Sequence, residues 1–88
     1  MRIRFTRHAE EKFAVLRRHG FAIAKQLVVG TVRNPEWIDS TRLPLLIAQR
    51  SLTVDHVLRV VYREERDSIV IITFYPGRTS QYENKKIS

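Results

Sequence analysis

The chain contains no cysteine among its 88 residues. That absence excludes a disulfide framework, thiolate metal ligation and a cysteine nucleophile, and it suits a reducing compartment. Glycine and proline number three each, too few for a collagen-like or low-complexity chain. No run approaches the roughly 18 apolar residues that a membrane span needs. The start, Met1-Arg2-Ile3-Arg4-Phe5, is basic, but no apolar segment of the signal-peptide kind follows it. The expected location is the cytoplasm, with no membrane partner. G-x-G-x-x-G, Walker A, G-x-S-x-G and H-E-x-x-H patterns are all missing, so nucleotide-cofactor and serine-hydrolase chemistry lack support. The three histidines are dispersed without the spacing of a metal site. Neither a metal nor a cofactor is expected.

What is present is a small core and a large positive charge. An apolar fraction of 43% suffices for a single core in a chain of this size. Sixteen Lys and Arg against nine Asp and Glu give +7. Such an excess points to a polyanionic partner: RNA, DNA, an acidic protein or an anionic surface. The charge is uneven, with +6 carried by residues 1–33 and +1 by residues 34–88.

Arg2-Ile3-Arg4-Phe5-Thr6 alternates in polarity and predicts a short first strand. Thr6 then suits an N-cap, with Glu10 and Glu11 at the positive end of the helix that follows. Ala9, Phe13 and Leu16 form its apolar stripe. Arg17-Arg18-His19-Gly20 reads as a helix end with a left-handed glycine. A second helix is predicted from about Phe21 to Val32, stopped by Asn34-Pro35. The remainder reads as strands: Glu36–Ser40, Leu45–Thr53 (interrupted by Gln49 and Arg50), Val57–Arg63, and Ser68–Tyr75, with Pro76-Gly77 ending the last. The polar stretch from Gln81 onward reads as frayed. The organisation is one domain over 1–82 with a flexible tail at 83–88.

Helices first and strands afterwards argue an α+β fold. The expected form is two N-terminal helices packed on one face of an antiparallel sheet of four to five strands. Strand alternation then sorts the side chains. Leu58, Val60 and Tyr62 should meet the helices, as should Val70, Ile72 and Phe74. Arg59 and Arg63 should face the accessible side with Ile69, Ile71, Thr73 and Tyr75, and Arg78 follows just past the strand end.

That places Arg59, Thr73, Tyr75 and Arg78 in one neighbourhood. Arginine suits phosphate because its planar fork donates two hydrogen bonds and stays charged. Tyrosine stacks on a base or supplies a phenol proton. The cluster reads as a phosphate-binding or phosphodiester-cleaving cleft. Each arginine taken alone reads first as a half-exposed strand residue whose stem covers apolar surface; the cluster is what raises the functional reading beside it. His8, two positions into the first helix, is a candidate to accept a proton from a ribose 2′-OH, with an activated Tyr75 or Tyr82 as the alternative base; the plainer role of His8 is to sit at a helix start against the sheet edge. Trp37 reads as core rim or as a stacking platform.

Phe5-Thr6-Arg7-His8-Ala9, Arg18-His19-Gly20-Phe21, Asn34-Pro35, Leu58-Arg59-Val60-Val61-Tyr62 and Ile71-Ile72-Thr73-Phe74-Tyr75-Pro76, in that order, resemble a bacterial branch of the RelE/ParE-like toxin superfamily. The resemblance covers about residues 3–82. It implies a RelE-like fold and a component of a toxin–antitoxin system. RelE-like members cleave mRNA, usually on the ribosome, without a metal; ParE-like members act on DNA gyrase. On this pattern Arg59 resembles the strand arginine, Arg78 the arginine after the last strand, and Tyr82 or Tyr75 the late tyrosine. The lysine pair of the RelE-like pattern has no clear counterpart, Gln49-Arg50 being nearest. The implied catalytic residues are His8, Arg59, Tyr75 and Arg78, with Arg7, Arg50, Arg63, Thr73 and Tyr82 binding substrate. The implied partners are RNA or the ribosome and an acidic antitoxin. The expected activity is a metal-independent endoribonuclease leaving a 2′,3′-cyclic phosphate and a 5′-OH. The alternatives are a non-catalytic ParE-like module that inhibits a protein or pairs with an acidic antitoxin, and an accessory domain that binds nucleic acid.

Overall fold

In the computed structural model, residues 1–82 are described; the expected tail at 83–88 lies outside the described residues. Strand β1 (Arg2–Phe5) leads into helices α1 (Arg7–Arg18) and α2 (Lys25–Arg33). Strands β2 (Trp37–Arg42), β3 (Leu45–Ser51), β4 (His56–Glu64) and β5 (Ser68–Arg78) follow, and a single turn, α3 (Thr79–Tyr82), ends the described chain. The class is α+β, as expected.

Local signals explain the helix limits. The Thr6 hydroxyl accepts the Ala9 N–H at 3.1 Å and so caps α1. Arg17 and Arg18 occupy the last turn, where cations oppose the helix dipole. Gly20 adopts φ +91° just beyond, a conformation that costs glycine little. Helix α2 starts at Lys25 rather than near Phe21. After Gly20 the chain runs outside helix and strand through residues 21–24 and packs Phe21 and Ile23, two positions apart, against the core.

The sheet order is β1-β5-β4-β3-β2. It is mixed, which corrects the expectation of an antiparallel sheet. β2 to β5 form an antiparallel meander, but β1 runs parallel to β5. A parallel pair needs a long crossover, and the segment from α1 through β4 supplies it. β5 also continues through Pro76-Gly77 to Arg78, past the expected end. β1 pairs only with Ser68–Ile71, so the later half of β5 is an edge, where proline is tolerated.

One cluster of buried side chains unites Ala9 and Leu16 of α1, Val28 and Val32 of α2, and Ala48, Leu58, Val60, Tyr62, Ile71 and Phe74 of the sheet. Phe13 packs on Phe74 with ring centroids 4.6 Å apart. Leu58, Val60, Tyr62 and Phe74 therefore lie where alternation puts them. Ile69, Ile71 and Val70 do not. The register shifts between Val61 and Tyr62, with Val61 opposite Thr73 and Tyr62 opposite Ile71. Ile72 is the extra residue, and it reverses the phase of the strand on one side of it. Ile71 is fully buried in the cluster and Ile69 packs against it, while Val70 pairs with Arg63.

Candidate functional site

On the sheet face opposite the main cluster, register aligns one row across four strands: Trp37, Gln49, Arg59 and Tyr75. The neighbouring row is Asp39, Ile47, Val61 and Thr73. Arg59 occupies the centre of this face. Its Nε donates to Tyr75 Oη at 3.1 Å, its Nη1 to Gln49 Oε1 at 2.6 Å, and its Nη2 to Asp39 Oδ2 at 3.3 Å.

The accessible arginine expected from alternation is thus buried, at 3% exposure. Burying a guanidinium is tolerable only when it is paired and hydrogen-bonded, and the partners come from three other strands. Asp39 supplies the countercharge. It is itself held by the Thr41 hydroxyl at 2.6 Å and the Thr41 N–H at 3.0 Å. Those two bonds, with the Arg59 charge, keep the Asp39 carboxyl below its ordinary pKa against the opposing effect of burial. Gln49 is fully buried, and its Nε2 has no hydrogen-bond partner among the described residues.

Aromatic rings surround the same cation. Its central carbon lies 5.8 Å from the Trp37 ring centroid, 6.0 Å from Tyr75 and 4.1 Å from Tyr82, within the range of cation–π attraction. Tyr82 reaches this position from α3 by lying over Gly77. A Cβ on Gly77 would stand 2.5 Å from Tyr82 Cε2, so the absence of a side chain there makes the seat. Gln81 and Tyr82, expected in a frayed stretch, belong to α3. A cleft of about 450 Å³ opens beside Arg59, lined by Asp39, Thr41, Arg42, Tyr75 and Tyr82 among others.

The other predicted residues fall into separate groups. His8 is exposed on α1, and its Nε2 lies 3.2 Å from Thr73 Oγ1. The Thr6 hydroxyl, donating to the Ile72 carbonyl at 3.0 Å, anchors this helix start at the bulge of β5. Arg78 is not beside Arg59. It pairs with His56 and lines a second cleft of about 520 Å³ with Asp55 and Thr79. It lies three positions after Tyr75, an odd offset, so alternation sends it to the other face. Arg63 and Arg4 share Glu65 at 2.9 and 3.2 Å, and the Arg63 hydrogen bond is the main cause of the lowered Glu65 pKa. Arg50 donates to the Asn34 carbonyl at 3.0 Å. Arg7 is solvent-exposed near Glu11.

The sequence reading does not include Asp39, Thr41 or Gly77 in the site, and it takes Gln49 as an interruption of β3 and, with Arg50, as the nearest counterpart of the RelE-like lysine pair. A glutamine directly after the apolar run Leu45–Ala48 was the available signal, since a polar residue at a buried strand position demands a partner. Comparison with protein-family models, with curated proteins and with solved structures gives no match.

Proposed function

We propose that this chain is a RelE/ParE-like toxin component that engages RNA through the sheet face carrying Arg59, with α1 and α2 covering the opposite face. The observation that carries the reading is the row Trp37-Gln49-Arg59-Tyr75 with Tyr82 above it: a fixed cation among three aromatic rings beside an open cleft. Aromatic and arginine surfaces of this kind suit unpaired bases, and the +7 charge suits the phosphate backbone.

Cleavage in the RelE-like manner needs a base for the ribose 2′-OH. His8 supplies it in this reading, being exposed and oriented by Thr73. It takes the 2′-OH proton, O2′ attacks the adjacent phosphorus, and the P–O5′ bond breaks with proton delivery to O5′. The products are a 2′,3′-cyclic phosphate and a 5′-OH. The test incubates purified protein with mRNA, alone and on translating ribosomes, and analyses the ends. Cyclic phosphate ends are expected, with the rate lowered about 10²–10⁴-fold in His8→Ala. Intact RNA in both settings defeats the cleavage step.

One observation favours the non-catalytic alternative. The three nitrogens of Arg59 already donate to protein, and Asp39 matches its charge, so Arg59 is not poised as a phosphate fork. A module that pairs with an acidic antitoxin or blocks a protein target needs no such fork. Growth arrest without RNA cleavage, retained in His8→Ala, selects that reading.

A further inference from the structure

The Arg59 side chain combines donors committed to protein partners with a face covered by an aromatic ring. Its Nε, Nη1 and Nη2 donate in three directions, to Tyr75, Gln49 and Asp39. These bonds lock the plane of the guanidinium. A phosphate binds a guanidinium along its edge, by parallel N–H donors. A planar ring binds it over its face. With three of the five N–H groups committed, one on each nitrogen, the face is the larger surface left to a ligand, and one face already carries a ring, that of Tyr82 at 4.1 Å.

Tyr82 is held there by little. It belongs to a single helical turn that packs on β5 alone among the stronger contacts. The start of that turn is tied to the exposed 53–55 loop, where Thr79 N donates to the Asp55 carbonyl at 2.9 Å and Thr79 Oγ1 to the Val54 carbonyl at 3.2 Å. The seat itself exists because residue 77 lacks a side chain. Arg42 is exposed at the cleft and makes no ion pair among the described residues.

The geometry points to Tyr82 occupying, in the free chain, the seat of one unpaired nucleobase on the Arg59 face. This rests on the RNA reading above and deepens it. Binding swings Tyr82 aside, the base stacks on Arg59 between the flanking Trp37 and Tyr75, and Arg42 meets the adjoining phosphate. Arg59 is then a platform for a base rather than a clamp for the scissile phosphate.

The test titrates a short fluorescent single-stranded oligoribonucleotide, and the same oligomer with abasic sites, into wild type, Tyr82→Ala, Tyr82→Phe and Gly77→Ala. Gly77→Ala places a methyl in the seat itself and so crowds any ring there, that of Tyr82 or that of a base. Tyr82→Ala is expected to bind the base-bearing oligomer roughly tenfold tighter than wild type, from the known scale of base stacking, whereas Gly77→Ala, whose methyl crowds the seat for a base as it does for Tyr82, should show no such gain. Tyr82→Phe should match wild type, and the abasic oligomer should gain nothing in any variant. Weaker binding in Tyr82→Ala overturns the inference, because it makes Tyr82 itself the platform. Equal gains for the abasic oligomer, a gain in Gly77→Ala, or unchanged affinity in Tyr82→Ala also overturn it while leaving RNA binding by wild type in place. A second probe separates the two readings. Adenosine monophosphate that quenches Trp37 fluorescence in Tyr82→Ala supports the base seat even where no form of the chain binds the oligomer, and in that case the RNA reading fails alone.

Discussion

The Arg59 guanidinium and the Asp39 carboxylate form an ion pair that is almost wholly buried, with Nη2 and Oδ2 3.3 Å apart and side-chain exposures of 4% and 8%. The pair spans from β4 across β3 to the edge strand β2, and it fixes the one cation around which the candidate site is arranged. Its burial makes it sensitive to the loss of either member. Asp39→Ala leaves a desolvated guanidinium with two neutral hydrogen-bond partners. The expected cost is roughly 3–5 kcal/mol in a urea or thermal melt, the range for breaking a buried pair. A loss below about 1 kcal/mol would show that the arginine relaxes into solvent.

Acid tests the same pair with a definite sign. Thr41, first by its hydroxyl and then by its N–H, and next Arg59, lower the Asp39 pKa in the folded state. A depressed folded value means that the stabilisation is full above the unfolded carboxyl pKa of about 3.9. It is lost as pH falls through the lower folded value. The unfolding free energy of wild type should therefore drop more steeply below about pH 4 than that of Asp39→Asn. Parallel acid limbs for the two proteins would remove Asp39 from the explanation.

Thr6 joins local structure to the placement of His8. Its oxygen both caps α1 and donates to the Ile72 carbonyl. Thr6→Ala should cost about 1–2 kcal/mol, the upper range for a lost N-cap, measured by denaturant unfolding. Thr6→Ser keeps both bonds and should stay close to wild type.

Phe74 anchors the other face. It is fully buried, sits opposite Val60 and packs against Phe13 with the rings tilted by 52°. Phe74→Ala should cost about 3–5 kcal/mol through lost transfer energy and a cavity. Phe74→Leu, nearer in volume, should cost less. Equal losses would indicate that ring contacts, not volume, carry the effect.

Much of this arrangement is legible in the sequence, and the parts that are not share a physical cause. The Thr6 cap, the Gly20 bend and the Asn34-Pro35 stop depend on neighbours a few residues away, and the helix ends follow from them. The alternation in Leu58–Tyr62 likewise sorts β4 correctly. The bulge at Ile72 has no local marker, so the faces of Ile69, Val70 and Ile71 came out reversed. The parallel pairing of β1 with β5 joins residues more than sixty positions apart. Arg59 reads as exposed because an arginine alternating with leucine and valine normally faces water. Its burial depends on Asp39 and Gln49, which only the register of two other strands brings to it. Tyr82 reads as the start of a loose tail because the bare surface over Gly77 that receives its ring exists only once β5 is formed.

The most direct measurement is NMR mapping of the labelled chain during titration with a short single-stranded oligoribonucleotide. The Trp37 indole, the Arg59 Nε–H and the backbone around Tyr75 and Tyr82 should shift together, while the outer surface of α2 at Lys25, Val29 and Arg33 stays unmoved. Shifts confined to that α2 surface, or no shifts even at low salt, would contradict an RNA interface on the Arg59 face.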